Sequence, residues 1–241
     1  MSDKKTALVI SAHSADFVWR AGGAIAKHAK LGYDVTVVCL SYGERGESAK
    51  LWKQEGMTLD RVNAERTDET RRAAEVLGAN LRLLDHGDYP MRIPEDTILQ
   101  LADIIREVAP SFILSHAPGD PWNFDHELTS RVAQEAQIIS QAKGHNPDMP
   151  SAKPVPILMY EPHQPENSGW RPDVYLDIDP VFDQKRKAFA CMDAQEWLWE
   201  YHTRVALQRG NQAWLNSGRK ITHAEAYQTL FPRVVSSFPS I

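Results

Sequence analysis

The chain is poor in the features that announce several classes of protein. It holds two cysteines, Cys39 and Cys191, in 241 residues, too few for the disulfide framework of a small secreted domain. Cys39 lies inside an apolar run, which suits a buried free thiol. No apolar stretch approaches the roughly 20 residues that cross a bilayer. The short run after Met1, Ser2, Asp3, Lys4 and Lys5 is too brief for the apolar segment of a secretory signal. No long block of either charge occurs, and the net charge is −5, which speaks against nucleic acid or a polybasic membrane anchor as partner. Internal repeats and low-complexity tracts are missing too. These absences predict a cytoplasmic protein with neither a membrane nor a nucleic-acid partner.

What is present is ordinary globular composition, with 42% hydrophobic and 24% charged residues, in a chain long enough to bury a full core. Residues 7–12, 35–40 and 112–116 read as buried strands, and residues 81–85 as a fourth. Each is short, apolar and bounded by turn residues. Helical periodicity covers residues 19–31, 61–77, 97–108 and 126–142, with Gly32, Gly78 and Pro110 placed as stop signals. The alternation predicts an α/β fold, a Rossmann-like three-layer sandwich with a mostly parallel sheet. Residues 143–156 read as an excursion, after which residues 157–160 and 175–178 return as strands and residues 180–201 as a helix. The chain is expected to form one domain over residues 1–241, with a helical tail over about 206–241 that carries Trp214, Tyr227 and Phe231. Ligands of such sheets bind beyond the carboxyl ends of the strands, where His13, Asp16, Glu44, Glu47 and His116 fall.

The first strand ends in Ala12-His13-Ser14-Ala15-Asp16-Phe17, with Gly22-Gly23 soon after, and Asn123-Phe124-Asp125-His126 follows the fourth. This pattern resembles the LmbE/PIG-L family of zinc-dependent N-acyl deacetylases, whose signature is Ala-His-Pro-Asp-Asp-Glu followed by a Gly-Gly pair. The resemblance extends through Arg66-Thr67-Asp68-Glu69, Ala73-Ala74, Leu77-Gly78, Lys185, Ala188-Phe189 and Gln195, so it spans residue 7 to about 195. It implies His13, Asp16 and His126 as metal ligands, with Zn²⁺ the expected ion and Fe²⁺ or Co²⁺ also suited to imidazole and carboxylate. Asp125 is implied as a carboxylate that orients a ligand imidazole. His116 ends a strand near the site and reads either way, as a packing residue or as one that lines the site. His28, His86, His145, His202 and His223 are read as surface or packing residues.

Several family positions are changed. The deacetylases carry their general base where this chain has Ala15, and a methyl group accepts no proton. Their oxyanion-stabilising histidine aligns with Asn123, and the late His and Ser of the family are Met192 and Ala194. Two loops offer replacements. Ser41-Tyr42-Gly43-Glu44-Arg45-Gly46-Glu47-Ser48 supplies two carboxylates, and Tyr160-Glu161-Pro162-His163-Gln164-Pro165-Glu166 supplies a histidine stiffened by prolines. Glu47 and His163 are the expected acid/base pair, Glu47 as base and His163 as acid, with the reverse order left open. Glu44, Arg20 and Arg45, with Arg72 and Arg171, are read as polar groups near the mouth that suit a small polycarboxylate.

With these loops the chain is similar to the 4-oxalomesaconate hydratase branch of the family. That resemblance implies metal-dependent addition of water to a C=C bond of 4-oxalomesaconate (4-carboxy-2-hydroxymuconate) in gallate and protocatechuate catabolism. It also implies a homo-oligomer, trimer or hexamer, as is common in the family. The alternatives are a deacetylase with a substitute base and a relative that binds a ligand without turnover.

Overall fold

The computed structural model describes residues 5–232. Its seven-stranded sheet has the order β3-β2-β1-β4-β5-β7-β6. The strands are β1 (Thr6–Ser11), β2 (Asp34–Cys39), β3 (Ala79–Leu83), β4 (Ile113–His116), β5 (Ile157–Tyr160), β6 (Val174–Asp177) and β7 (Ala224–Thr229). The first five pair in parallel, whereas β7 runs antiparallel to both β5 and β6. The helices are α1 (Asp16–Lys30), α2 (Ala49–Trp52), α3 (Leu59–Leu77), α4 (Glu95–Val108), α5 (Phe124–Gln141), α6 (Pro165–Ser168), α7 (Phe182–Phe189) and α8 (Leu198–Ser217).

Strand alternation sorts the apolar side chains into two cores. Ala7 and Val9 of β1, with Val35, Val37 and Cys39 of β2, face the layer that includes α1, α3 and α7. Leu8 and Ile10, with Val38, face the layer made by α4 and α5. A sheet buried on both faces needs such near-continuous apolar strands, and these are the segments the sequence exposes most clearly. Cys39 and Cys191 are free and buried.

The Gly22-Gly23 pair lies inside α1 rather than before it. A Cβ on Gly23 would sit 2.6 Å from Ile178 Cγ2 and 2.8 Å from Glu225 Oε1. The missing side chain lets α1 lie directly on the β6–β7 end of the sheet. There Glu225 accepts the Gly23 and Ala24 N–H groups at 2.6 and 2.8 Å, the Tyr227 hydroxyl at 2.6 Å and the Lys185 ammonium at 2.6 Å.

Two expectations change. The helix foreseen over residues 180–201 is broken: α7 ends at Phe189, a short 3₁₀ turn covers Asp193–Gln195, and α8 begins at Leu198. The tail from residue 206 is not helical throughout. It completes α8 and then forms β7, an interior strand of the sheet. Residues 233–241 of that tail lie outside the described residues. The misreading has a physical cause: Glu225 looks like a surface residue but is buried at 5% exposure because four donors meet its carboxylate.

Candidate active site

The strand order turns at β1, which lies between β2 and β4. Ligands in open α/β sheets bind beyond the strands at such a reversal. The turn after β1 carries His13 and leads into Asp16 at the start of α1, and the loop from β4 carries Asp120 and Asn123 and leads into Asp125 and His126 of α5. Asn123 caps α5 by accepting the Asp125 N–H at 3.1 Å, which sets Asp125 and His126 in the first helical turn.

The two imidazoles are oriented by carboxylates. Asp125 Oδ2 stands 3.2 Å from His13 Nε2, and Asp120 Oδ2 stands 2.8 Å from His126 Nδ1. Both acids are held below the usual carboxylate range. Burial opposes this, but bonds from His13 to Asp125 and from His126 and His163 to Asp120 outweigh it. An ionised carboxylate only accepts, so each imidazole nitrogen facing it donates. The opposite nitrogens then turn inward: His13 Nδ1 lies 3.0 Å from Asp16 Oδ2 and 3.1 Å from Glu47 Oε1, and His126 Nε2 lies 3.2 Å from Asp16 Oδ1.

Asp16 is likewise held well below its ordinary value; burial works against this, but the facing His126 and His116 prevail. Burial would also lower His13, yet the Glu47 charge and the bonds to Asp125, Asp16 and Glu47 raise it well above its ordinary value. One ligand atom from each of His13, Asp16, Glu47 and His126 lies within 4.8 Å of the others, so this group could hold a metal ion. His126 Nε2 and Glu47 Oε2 are buried there with no hydrogen-bond partner. Two buried atoms without a partner, facing the same cluster, fit a cation, and two imidazoles with carboxylates are a donor set that zinc accepts.

Glu47 and His163 approach this cluster from different sides. Glu47 follows β2 on a loop held by Asp88, whose carboxylate accepts Arg45 N at 2.8 Å and Gly46 N at 2.7 Å. The buried Arg66 supports the same loop through Tyr42 O at 3.1 Å while pairing with Glu69 at 2.6 Å. This gives the Arg66-Glu69 motif its structural sense. His163 follows β5 and stacks on His126, with centroids 5.4 Å apart and planes at 7°. Its backbone N–H donates to Asp120 Oδ2 at 3.2 Å. Arg20 Nη2 lies 2.9 Å from His163 Nδ1, and Arg20 also donates to Glu161 O. The Arg20 charge, followed by burial, lowers the pKa of His163.

These groups open on a cavity of about 370 Å³ lined by, among others, Asp16, Arg20, Glu47, Tyr89, Asn123 and His163. The other expected polar groups stay out of it. Glu44 turns toward Asp88 and Arg45, and burial raises its pKa. Arg45 is half-exposed and donates to Asp88 O at 2.8 Å. Arg72 pairs with Asp68 on α3 at 2.8 Å, and Arg171 is exposed. His116 lies behind the site rather than lining it: its Nε2 accepts the Ala12 N–H at 3.0 Å, and its ring stacks on His126 at 4.1 Å. Burial and then the His126 charge hold its pKa low. His202, read as a surface or packing residue, packs on Trp19 at 5.5 Å and also lines the cavity.

Asp120, Asp88 and Tyr89 escaped the sequence reading. Asp120 sits between Pro118-Gly119 and Pro121, where a carboxylate reads as a turn residue. Its one available signal was its place after a strand that feeds the site.

The chain matches the family model of PIG-L, GlcNAc-PI de-N-acetylase, over residues 8–137. It is 56% identical over 238 residues to the 4-oxalmesaconate hydratase of Pseudomonas putida, covering 97% of this chain and 92% of that one. Among solved structures it is similar to GalB, the 4-carboxy-2-hydroxymuconate hydratase of Pseudomonas putida. The TM-score is 0.95 at 55% identity, covering 98% of this chain and 100% of that one. The N,N'-diacetylchitobiose deacetylase of Pyrococcus horikoshii shares the fold, with TM-score 0.78 at 23% identity over 95% of this chain and 84% of that one. By sequence and by fold, the chain belongs to the PIG-L/LmbE family.

Proposed function

We propose that this chain is a hydro-lyase that adds water to 4-oxalomesaconate (4-carboxy-2-hydroxymuconate), giving 4-carboxy-4-hydroxy-2-oxoadipate in gallate and protocatechuate catabolism. The observation that carries the reading is the 56% identity to the P. putida hydratase over 97% of this chain. The site chemistry supports it. Ala15 is fully buried in an apolar core, so the deacetylase base is gone, while Glu47 enters the cluster from another loop.

His13, Asp16 and His126 are the residues that would hold Zn²⁺. When bound, the ion supplies Lewis-acid polarisation of a keto acid and stabilises negative charge on the oxygen of its enolate form. The protein's own groups do the rest. Glu47, beside His13, takes the proton of the attacking water as its oxygen bonds to the substrate carbon. His163, beside His126, gives a proton to the neighbouring carbon. Their placement on different sides of the cluster suits the two ends of a C=C bond. Asp125 and Asp120 keep the two ligand imidazoles turned. Arg20 fixes the His163 ring and the Glu161 carbonyl. The reading also carries a cytoplasmic setting and a homo-oligomer, trimer or hexamer, which light scattering tests directly. Among the described residues no helix is long and apolar enough to cross a membrane.

The test is ultraviolet absorbance of 4-carboxy-2-hydroxymuconate with purified protein. The conjugated chromophore should be lost, the loss should stop on chelation, and it should resume when Zn²⁺ is returned. No change with fully metal-loaded protein overturns the hydratase reading and directs the search to N-acyl substrates.

A further inference from the structure

A tricarboxylate brings three anionic groups, yet among the described residues Arg20 is the one Lys or Arg lining the cavity. Its two terminal nitrogens are already engaged by Glu161 O and the His163 ring, and its Nε is buried 3.6 Å from Asp16 Oδ1. Recognition of the remaining anionic oxygens therefore falls largely to neutral donors. An O–H or N–H aimed at a carboxylate makes a charge-assisted bond, stronger than one between neutral groups.

Tyr89 is a neutral donor whose backbone and ring are both held by the site. Its φ is 45°, a left-handed conformation that costs a residue with a side chain and persists where the surroundings enforce it. The enforcement is visible. The Tyr89 N–H donates to Asp125 Oδ2 and the Met91 N–H to Asp125 Oδ1, both at 2.9 Å. The carboxylate that orients His13 thus also fixes the backbone on either side of Pro90. The Tyr89 ring stacks over His13 with centroids 5.8 Å apart, and meets Phe124 edge-on at 5.5 Å. On its other flank lies Gly46, where a Cβ would run into the ring.

The hydroxyl is arranged with equal care. Asn123 Nδ2 donates to the phenol oxygen at 2.8 Å. That bond occupies a lone pair and leaves the phenol proton unspent. Among the described residues the hydroxyl donates to no protein group. Asn123 stands where the family's deacetylases carry a histidine for the oxyanion. In this chain it turns that position into a cap on a phenol, so the donor offered to the ligand is displaced from residue 123 to residue 89. Both residues line the cavity beside Glu47.

We propose that the Tyr89 hydroxyl, capped by Asn123, is a specificity-determining donor that binds a carboxylate oxygen of the polycarboxylate ligand. The identity of the ligand rests on the hydratase reading; the direction of the donor rests on the geometry.

Tyr89→Phe removes the O–H and keeps the ring. The experiment measures steady-state hydration by both proteins, calorimetric binding of tricarballylate (a saturated, unreactive tricarboxylate) to the zinc-loaded forms, and thermal midpoints. Expected for Tyr89→Phe are a KM and a tricarballylate Kd raised about tenfold or more, a kcat within about threefold of wild type, and a midpoint lowered by a few degrees, because Asn123 Nδ2 loses its acceptor. An unchanged Kd and KM overturns the proposal, as does a fall in kcat with KM and Kd unaltered. If the wild type leaves the muconate untouched, the hydratase reading fails by itself and the tricarballylate comparison still decides the role of Tyr89. Wild-type protein that does not bind tricarballylate overturns the role as well.

Discussion

The two sides of the cluster are built to different standards. On the side formed by the turns after β1 and β4, His13, Asp16, Asp125 and His126 are at most 2% exposed, and each imidazole is braced by its own carboxylate at 2.8 to 3.2 Å. On the other side, Glu47 and His163 come from loops after β2 and β5. The His163 side chain is 34% exposed, and Glu47 Oε2 has no hydrogen-bond partner. The contrast teaches a division of labour: the groups proposed to hold an ion sit on the ends of regular elements, and the groups proposed to move protons sit on connections. Function changes within a fold most readily through such connections, and the proposed use of a base at residue 47, where residue 15 is an alanine, is a change of that kind.

Mutation can break this division. His126→Ala has the largest expected effect, loss of both metal retention and turnover, read by elemental analysis and the absorbance assay. Glu47→Gln and His163→Asn come next. Each should lower kcat by about 10²–10⁴-fold, the range for a lost general acid or base, while the protein retains its metal. Metal loss in Glu47→Gln would move Glu47 to the ligand side and end the contrast.

Asp120→Asn sharpens the comparison because Asp120 belongs to both sides, touching His126 Nδ1 at 2.8 Å and the His163 N–H at 3.2 Å. It should weaken metal affinity or activity by about 10–100-fold. A competition titration with a chelating dye separates the two effects. The smallest effect on chemistry is expected from Gly23→Ala, far from the reacting atoms. The added methyl overpacks against Ile178 and should destabilise the fold by about 1–3 kcal/mol, seen in denaturant unfolding with little change in KM.

The same contrast decides what the sequence disclosed. Five parallel strands were legible because a sheet buried on both faces leaves apolar runs with turn residues at their ends. His13, Asp16 and His126 were legible as one cluster because residues anchored to element ends keep their spacing. Glu47 and His163 were found only as loop residues of suitable chemistry, since nothing local says that two distant loops meet. Asp120 and Tyr89 were missed for the same reason: their roles are defined by partners 6 to 43 positions away. Glu44 and Arg45 were overread, because alternating charge on a glycine-bearing loop does not reveal which carboxylate turns inward. β7 was missed because its buried glutamate imitates a surface residue.

That glutamate has a consequence for how the protein is made. A ribosome releases the chain from residue 1 onward, and every proposed ligand and proton carrier has emerged by residue 163. The clamp on α1, the helix that carries Asp16 and Arg20, arrives some sixty residues later with Glu225. A nascent chain stopped after α8 would hold the full set of reactive side chains without the strand that seats their helix. Chemistry is thereby expected to wait for β7, and a product terminated before it would carry the parts of the site without the clamp on α1.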